Sequence, residues 1–260
     1  MHRRLLHILM SLIFFFSFVS LACGTSQSTP SPTNIPEPTA TKTAIPTATH
    51  TPRPSPTLRP TQTPNLAATE RTAELNAEIQ EYFEKGYLAT TEGSFRDLDD
   101  FRYEWAQLGF YLPFLIQEEV GDFILGAHFK WDSAFKNSNI SGCGFMFGIQ
   151  PNDDHYAVFL DRQKVFFLTT DHTVDFSRPV SPTRGTGLVN FDYPAEADFT
   201  LIVRDAYAFV LVNGEVIGEY TLAKSRPPKG DIALTVLSGT NRDYGTRCEM
   251  TNVRLWLPNK

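Results

Sequence analysis

Phe123-Ile-Leu-Gly-Ala-His-Phe-Lys-Trp131 is the stretch that decides the fold class. Successive side chains of an extended chain point to opposite sides, so Phe123, Leu125, Ala127, Phe129 and Trp131 share one face and His128 and Lys130 the other. The same period of two recurs at Cys143, Phe145, Phe147 and Ile149, and again at Tyr156, Val158 and Leu160. It returns at Phe199, Leu201 and Val203, at Tyr207, Phe209 and Leu211, and at Ile232, Leu234 and Val236. Each run is read as a short strand with one core face and a wet or mixed second face. Turn-forming residues separate the runs: Pro151-Asn-Asp-Asp154, Asp161-Arg-Gln163, Pro182-Thr-Arg-Gly185 and Asn213-Gly214. The last of these predicts a two-residue hairpin within Phe209–Ile217, because a type I′ turn needs positive φ at both central positions. With 21 Phe in the chain, residues 86–260 have ample material for a two-layer core. Helical periodicity of consequence ends at Lys85, so the expected fold class is all-β, a two-sheet antiparallel jelly-roll sandwich.

Upstream of the sandwich the chain changes character three times. Residues 66–85 read as a helical neck, with Asn65 as N-cap, an apolar stripe at Leu75, Ile79, Tyr82 and Phe83, and Gly86 just past the end. Its last two turns are expected to dock on the domain, oligomerisation through the stripe being the alternative. Residues 23–65 form a disordered linker: of the 42 residues from Gly24 to Asn65, ten are Pro and twelve are Thr. Proline removes backbone donors and favours polyproline II, so this stalk has a reach of up to roughly 130 Å at about 3.1 Å per residue. Residues 1–22 carry Arg3 and Arg4 ahead of an apolar run from Leu5 to Ala22, the pattern of a secretory signal peptide.

Val19-Ser20-Leu21-Ala22-Cys23 resembles the lipobox of bacterial lipoproteins, whose cysteine is diacylated after cleavage. Ser20 and Leu21 stand in swapped order relative to that pattern, and Ser20 and Ala22 also suit ordinary signal peptidase. Lipidation of Cys23 is the expectation, with plain secretion and an uncleaved anchor as alternatives. Cysteine arithmetic favours the lipid. The chain has three cysteines, and a pair between Cys143 and Cys248 leaves Cys23 over. Outside the reducing cytoplasm two cysteines in one domain usually oxidise, two buried free thiols being the alternative. The expected location is therefore extracytoplasmic, lipid-anchored at the cell membrane or secreted.

Six further stretches join Asp122–Trp131 in a family resemblance: Gly142-Cys-Gly-Phe-Met-Phe-Gly148, His155-Tyr-Ala-Val-Phe-Leu160, Phe199-Thr-Leu-Ile-Val203, Val212-Asn-Gly214, Gly230-Asp-Ile-Ala-Leu234 and Met250-Thr-Asn-Val-Arg254. In order and spacing the chain resembles the concanavalin A-like lectin and glucanase superfamily, nearest to laminin-G-like modules and the jelly rolls of keto-disaccharide hydrolases. The combined layout of signal, cysteine, stalk and sandwich also resembles bacterial surface lipoproteins. The resemblance spans about Asp122 to Leu257 and implies the fold; every motif in it is structural, and one fold hosts many activities.

Retaining glucanases of this superfamily place two carboxylates on one strand as Glu-x-Asp-x-Glu. Here Glu196-Ala-Asp198 is followed by Phe199 and Thr200, and Glu215 and Glu219 have no Asp between them. That departure speaks against hydrolysis. His50, His128, His155 and His172 are scattered, and no His-x-x-x-His or Cys-x-x-Cys occurs. The acidic cluster to weigh is Asn152-Asp153-Asp154, where Asp153 and Asp154 are a weak Ca²⁺ candidate against turn solvation. No nucleophile elbow, phosphate loop or dinucleotide fingerprint is present. Without residues 1–22 the basic residues fall from 23 to 21 against 29 acids, a net of −8, which disfavours nucleic acid.

What remains is binding. Sugar sites use aromatic faces together with Asp and Asn, and the candidates are Tyr244 with Asn241 and Asp243, then Trp131, His155 and Tyr156, with Trp105 and Tyr111 beside predicted turns. Trp131 and Tyr156 alternate with core residues and are read as core first. The expected function is a membrane-anchored recognition domain for a glycan or another extracellular polymer, without catalysis. A protein-interaction or envelope-structural module is the alternative, and a glycoside-processing enzyme of the same fold comes third.

Overall fold

The computed structural model describes residues 66–136, 140–162, 164–170, 178–179, 184–185 and 193–259. The expectations for the signal, Cys23, the stalk, His50 and His172 lie outside those residues. Among the described residues one helix, α1 (Leu66–Glu84), precedes fourteen strands. In chain order these are β1 (Gly93–Asp97), β2 (Phe101–Trp105), β3 (Phe114–Val120), β4 (Phe123–Ser133), β5 (Gly142–Ile149), β6 (His155–Asp161) and β7 (Lys164–Thr170). They continue as β8 (Arg178–Pro179), β9 (Arg184–Gly185), β10 (Ala195–Arg204), β11 (Tyr207–Val212), β12 (Glu215–Thr221), β13 (Gly230–Leu237) and β14 (Thr246–Pro258). The first sheet runs β1-β14-β4-β10-β11-β12, with β2 beside β1 on the same edge of β14; the second runs β3-β13-β5-β6-β7-β8, with β9 also on β7. All pairs are antiparallel, and the two sheets form the expected sandwich.

Between the sheets lie the residues that the period of two assigns there, including Phe123, Leu125, Phe129 and Trp131 of β4, Phe145 and Phe147 of β5, and Phe199, Leu201 and Val203 of β10. Cys143 of β5 and Cys248 of β14 are joined by a disulfide with Cα atoms 5.5 Å apart, so a covalent bond fastens one sheet to the other. Asn213 and Gly214 take φ of 50° and 79°, the two left-handed residues that the β11–β12 hairpin requires.

Three expectations need correction. The inward residues of β11 are Ala208, Val210 and Val212, whereas Phe209 and Leu211 face outward into a second apolar cluster with Ile124, Ile202, Trp256, Ile79 and Tyr82. A strand buried on both faces has no wet side to mark its register, so alternation alone could not tell the faces apart. β5 and β6 are likewise buried on both faces, because Met146, Ala157, Phe159 and Leu168 form a third cluster outside the second sheet. Finally, Arg184–Gly185 pairs with Lys164–Val165 as a short strand instead of ending a turn.

α1 covers the second cluster. Ile79 and Tyr82 are buried, but Phe83, one residue further round, is 42 % exposed. The stripe is completed past the helix by Leu88, with Tyr87 packed on Phe209 at 4.6 Å between ring centroids. The helix closes with Gly86 N–H donating to Phe83 O and Tyr87 N–H to Tyr82 O. The Arg204 guanidinium of β10 donates to Gly86 O, placing a cation at the negative end of the helix.

Candidate functional site

The structure separates the aromatic candidates from one another. Trp131 is 1 % exposed and Tyr156 also 1 %, both in the core between the sheets, so neither ring is open to a ligand. Tyr156 stacks on Phe147, and its hydroxyl donates to Arg226 O and accepts from Ala223 N–H, tying down the β12–β13 loop. His155 is buried as well. Its Nδ1 lies 2.6 Å from Asp153 O and its Nε2 2.9 Å from the Tyr111 hydroxyl. A carbonyl only accepts, so Nδ1 carries the proton and Nε2 accepts from Tyr111. Burial pushes the His155 pKa below its ordinary value. Trp105 is partly buried against the core, its Nε1–H donating to Phe110 O.

The loop from Asn241 to Gly245 is built inward. Asn241 Oδ1 accepts from Leu108 N–H, and the Tyr244 hydroxyl donates to Asp132 Oδ2 at 2.9 Å while the Arg247 guanidinium sits 4.4 Å over its ring. Asp243 is exposed with φ of 44°. These side chains serve first to lock the Trp105–Tyr111 loop onto the end of the sandwich. In the Asn152–Asp154 turn, Asp154 N–H and its carboxylate bond to the Asn152 side chain, and Arg226 lies 3.9 Å away. Among the described residues no group of three or more His, Cys, Asp or Glu is arranged to hold a metal ion.

A groove of about 770 Å³ lies open between α1 and the outer face of the first sheet, a size that suits a small ligand or a stretch of polymer. Its wall is one face of α1, with Glu70, Arg71, Glu74, Leu75, Glu78 and Tyr82. Its floor is Ala127 and His128 of β4, Asp198 and Thr200 of β10, and Asn252 and Arg254 of β14. The hairpin residues Asn213 and Gly214 close one end.

Strand register explains the floor. Asp198 stands opposite His128 and Thr200 opposite Gly126, and on the other side of β4 Thr251 stands opposite His128 and Arg254 opposite Gly126. Between Thr251 and Arg254, β14 sets two residues, Asn252 and Val253, against the single Ala127 of β4, a bulge that turns Val253 inward and leaves Asn252, at φ 52°, at the groove. His128 Nδ1 is 2.9 Å from Asp198 Oδ1, and Asp198 N–H donates to Asn213 Oδ1. Arg254 is held by Glu78 at 2.8 Å, and Tyr82 donates to the same carboxylate at 2.7 Å. Burial, then the neighbouring Glu78 carboxylate, raises the Tyr82 pKa above its ordinary value. Arg71 reaches out of the groove to Asp97 of β1 at 2.8 Å. Thr200 is 9 % exposed, and its hydroxyl makes no hydrogen bond among the described residues.

Solved structures of similar shape include a carbohydrate-binding module, CBM66, from Bacillus subtilis, at 9 % identity and TM-score 0.44, covering 62 % of this chain and 94 % of that one. A fructosyltransferase from A. japonicus matches at 16 % identity and TM-score 0.42 over 65 % of this chain; the match spans only 27 % of the enzyme. A Bacillus licheniformis β-glucanase matches at 13 % identity and TM-score 0.39, covering 56 % of this chain and 69 % of that one. No family model and no curated protein matches the chain. At these scores the likeness carries no conclusion about this chain, and what those proteins bind or process stays with them.

Sequence reasoning missed the groove. The neck is read there for its apolar stripe alone, and Glu196-Ala-Asp198 only as a departure from the catalytic strand. The available signal was the outward set of β10, Glu196, Asp198 and Thr200, which is polar where the inward set is wholly apolar. No local pattern shows that a helix more than a hundred residues upstream roofs that face.

Proposed function

We propose that the sandwich is a non-catalytic recognition module that holds an extracellular polysaccharide in the groove between α1 and the first sheet. The observation that carries this reading is the groove floor. Asp198, Thr200, Asn252 and Arg254 place carboxylate, hydroxyl, amide and guanidinium groups side by side, a set suited to sugar hydroxyls that both donate and accept. Leu75 and Tyr82 add apolar contact for a sugar ring. The non-catalytic reading is supported by Thr200, which follows Asp198 on this face where a retaining glucanase carries its second carboxylate. Display outside the membrane, on a Thr/Pro stalk lipidated at Cys23, belongs to the same proposal and rests on the sequence.

The test is binding of the full-length chain to an array of soluble and immobilised polysaccharides. We expect retention on at least one class, and an affinity about tenfold or more lower for Asp198→Ala, the range for losing a hydrogen bond to a charged group. One observation favours a second reading. Leu108, Phe110 and Leu115 are 42 %, 57 % and 58 % exposed around the β2–β3 connection, which suits a protein-interaction module. Silence across the whole array would decide for it.

A further inference from the structure

Charge around the groove is unevenly spent. Four carboxylates line it, from Glu70, Glu74, Glu78 and Asp198, against the guanidinium groups of Arg71 and Arg254. Arg254 is committed to Glu78 and Arg71 to Asp97, while Asp198 accepts a hydrogen bond from His128. Glu70 and Glu74 have no hydrogen-bond or ion-pair partner among the described residues. They stand four residues apart, one turn or about 6 Å along the helix, and like charges at that spacing oppose helix formation. Below them on the floor is Thr200, 9 % exposed, whose hydroxyl opens on the groove and makes no hydrogen bond among the described residues. The wall therefore offers two uncompensated negative charges and the floor an available hydroxyl, beside the amide of Asn252.

We infer that the ligand of this groove is a polysaccharide bearing protonated amines, with Glu70 and Glu74 taking the ammonium groups and Thr200 and Asn252 the ring hydroxyls. This rests on the polysaccharide reading above and narrows it. A linear polymer repeats its amine at every sugar, which suits two carboxylates placed in a row along a helix. Neutral sugars leave both charges without a partner, and uronic or sulfated polymers meet repulsion. A lysine-rich peptide satisfies the carboxylates but leaves the polar floor unanswered, and the apolar side chains that line the groove are Leu75 and Tyr82.

The experiment is calorimetric titration of the full-length chain with chitosan oligomers, with the same oligomers fully N-acetylated, with oligogalacturonate and with oligolysine, at a pH where the amines are charged. Chitosan is expected to bind about tenfold or more tighter than its acetylated counterpart, at roughly up to fivefold per exposed charge pair, with the gap shrinking as salt rises. Glu70→Gln with Glu74→Gln should close the gap while leaving the thermal melt in place, and Glu219→Gln on β12 should leave the gap intact. Equal binding of the two oligomers, or a gap that survives the double variant, overturns the amine assignment and spares the polysaccharide reading. Binding of neither oligomer nor of oligogalacturonate overturns both. Oligolysine binding that matches chitosan in strength and in its need for Glu70 and Glu74 reassigns the groove to basic peptides.

Discussion

His155 shows what a buried side chain does to the pH response of the fold. Its Nδ1–H is committed to Asp153 O and its Nε2 accepts from Tyr111, so a second proton would force the Tyr111 hydroxyl to turn and accept from Nε2, and would put a charge at a buried site. Burial depresses the folded pKa below the ordinary value of 6.5. The unfolded chain then binds the proton more readily, so this contribution to stability is complete above about pH 6.5 and is lost as pH falls through the lower folded value. Melting curves between pH 8 and pH 4 should show a steeper acid loss for the native chain than for His155→Gln. Gly245 gives a second test. Its φ is 69°, and a Cβ there would collide with the Trp105 carbonyl, so Gly245→Ala should cost at least about 1–3 kcal/mol in denaturant unfolding. At this scale the sequence was legible in face but not in wetness: Trp131 and Phe129 look alike in a period of two. Only the opposite sheet shows that Trp131 is out of a ligand's reach.

At the scale of elements, α1 and the disulfide each carry a prediction. Ile124, Ile202, Phe209, Leu211 and Trp256 lie beneath α1 and the adjoining Tyr87 and Leu88, all five at most 3 % exposed. Deleting residues 66–85 uncovers this apolar face, so the shortened chain should bind a hydrophobic dye and self-associate, measured by fluorescence and light scattering. The bond between Cys143 and Cys248 closes a loop with a sequence separation of 105. Reduction should lower stability by up to about 4.7 kcal/mol if chain entropy dominates, read as a fall in the denaturation midpoint. The strands with long alternating runs were legible, and so was the β11–β12 hairpin, because their signals are local. β1 and β2 were not. Each has five residues and takes its pairing from β14, some 150 residues away in the chain, which no window of neighbours can register. The groove was hidden for the same reason, since its wall and floor come from opposite ends of the domain.

For the whole molecule, the net charge of −6 opposes nucleic acid and agrees with a groove that carries excess carboxylate. The anchoring proposal has its own test. Cys23→Ser should move the chain from the membrane fraction to the soluble exported fraction and abolish labelling by a radioactive fatty acid. Retention of the label on the variant would refute lipidation at Cys23. The place of β14 bears on how the fold is completed. It is the final strand of the sandwich in chain order, yet it lies inside the first sheet, with β4 on one edge and β1 and β2 on the other. Chain emerging from the ribosome therefore holds an open sheet, with the partners of β1, β2 and one side of β4 still unmade. The domain stays incomplete until β14 has been synthesised, which delays closure of the groove until its final wall-to-floor contact, Glu78 with Arg254, is in place.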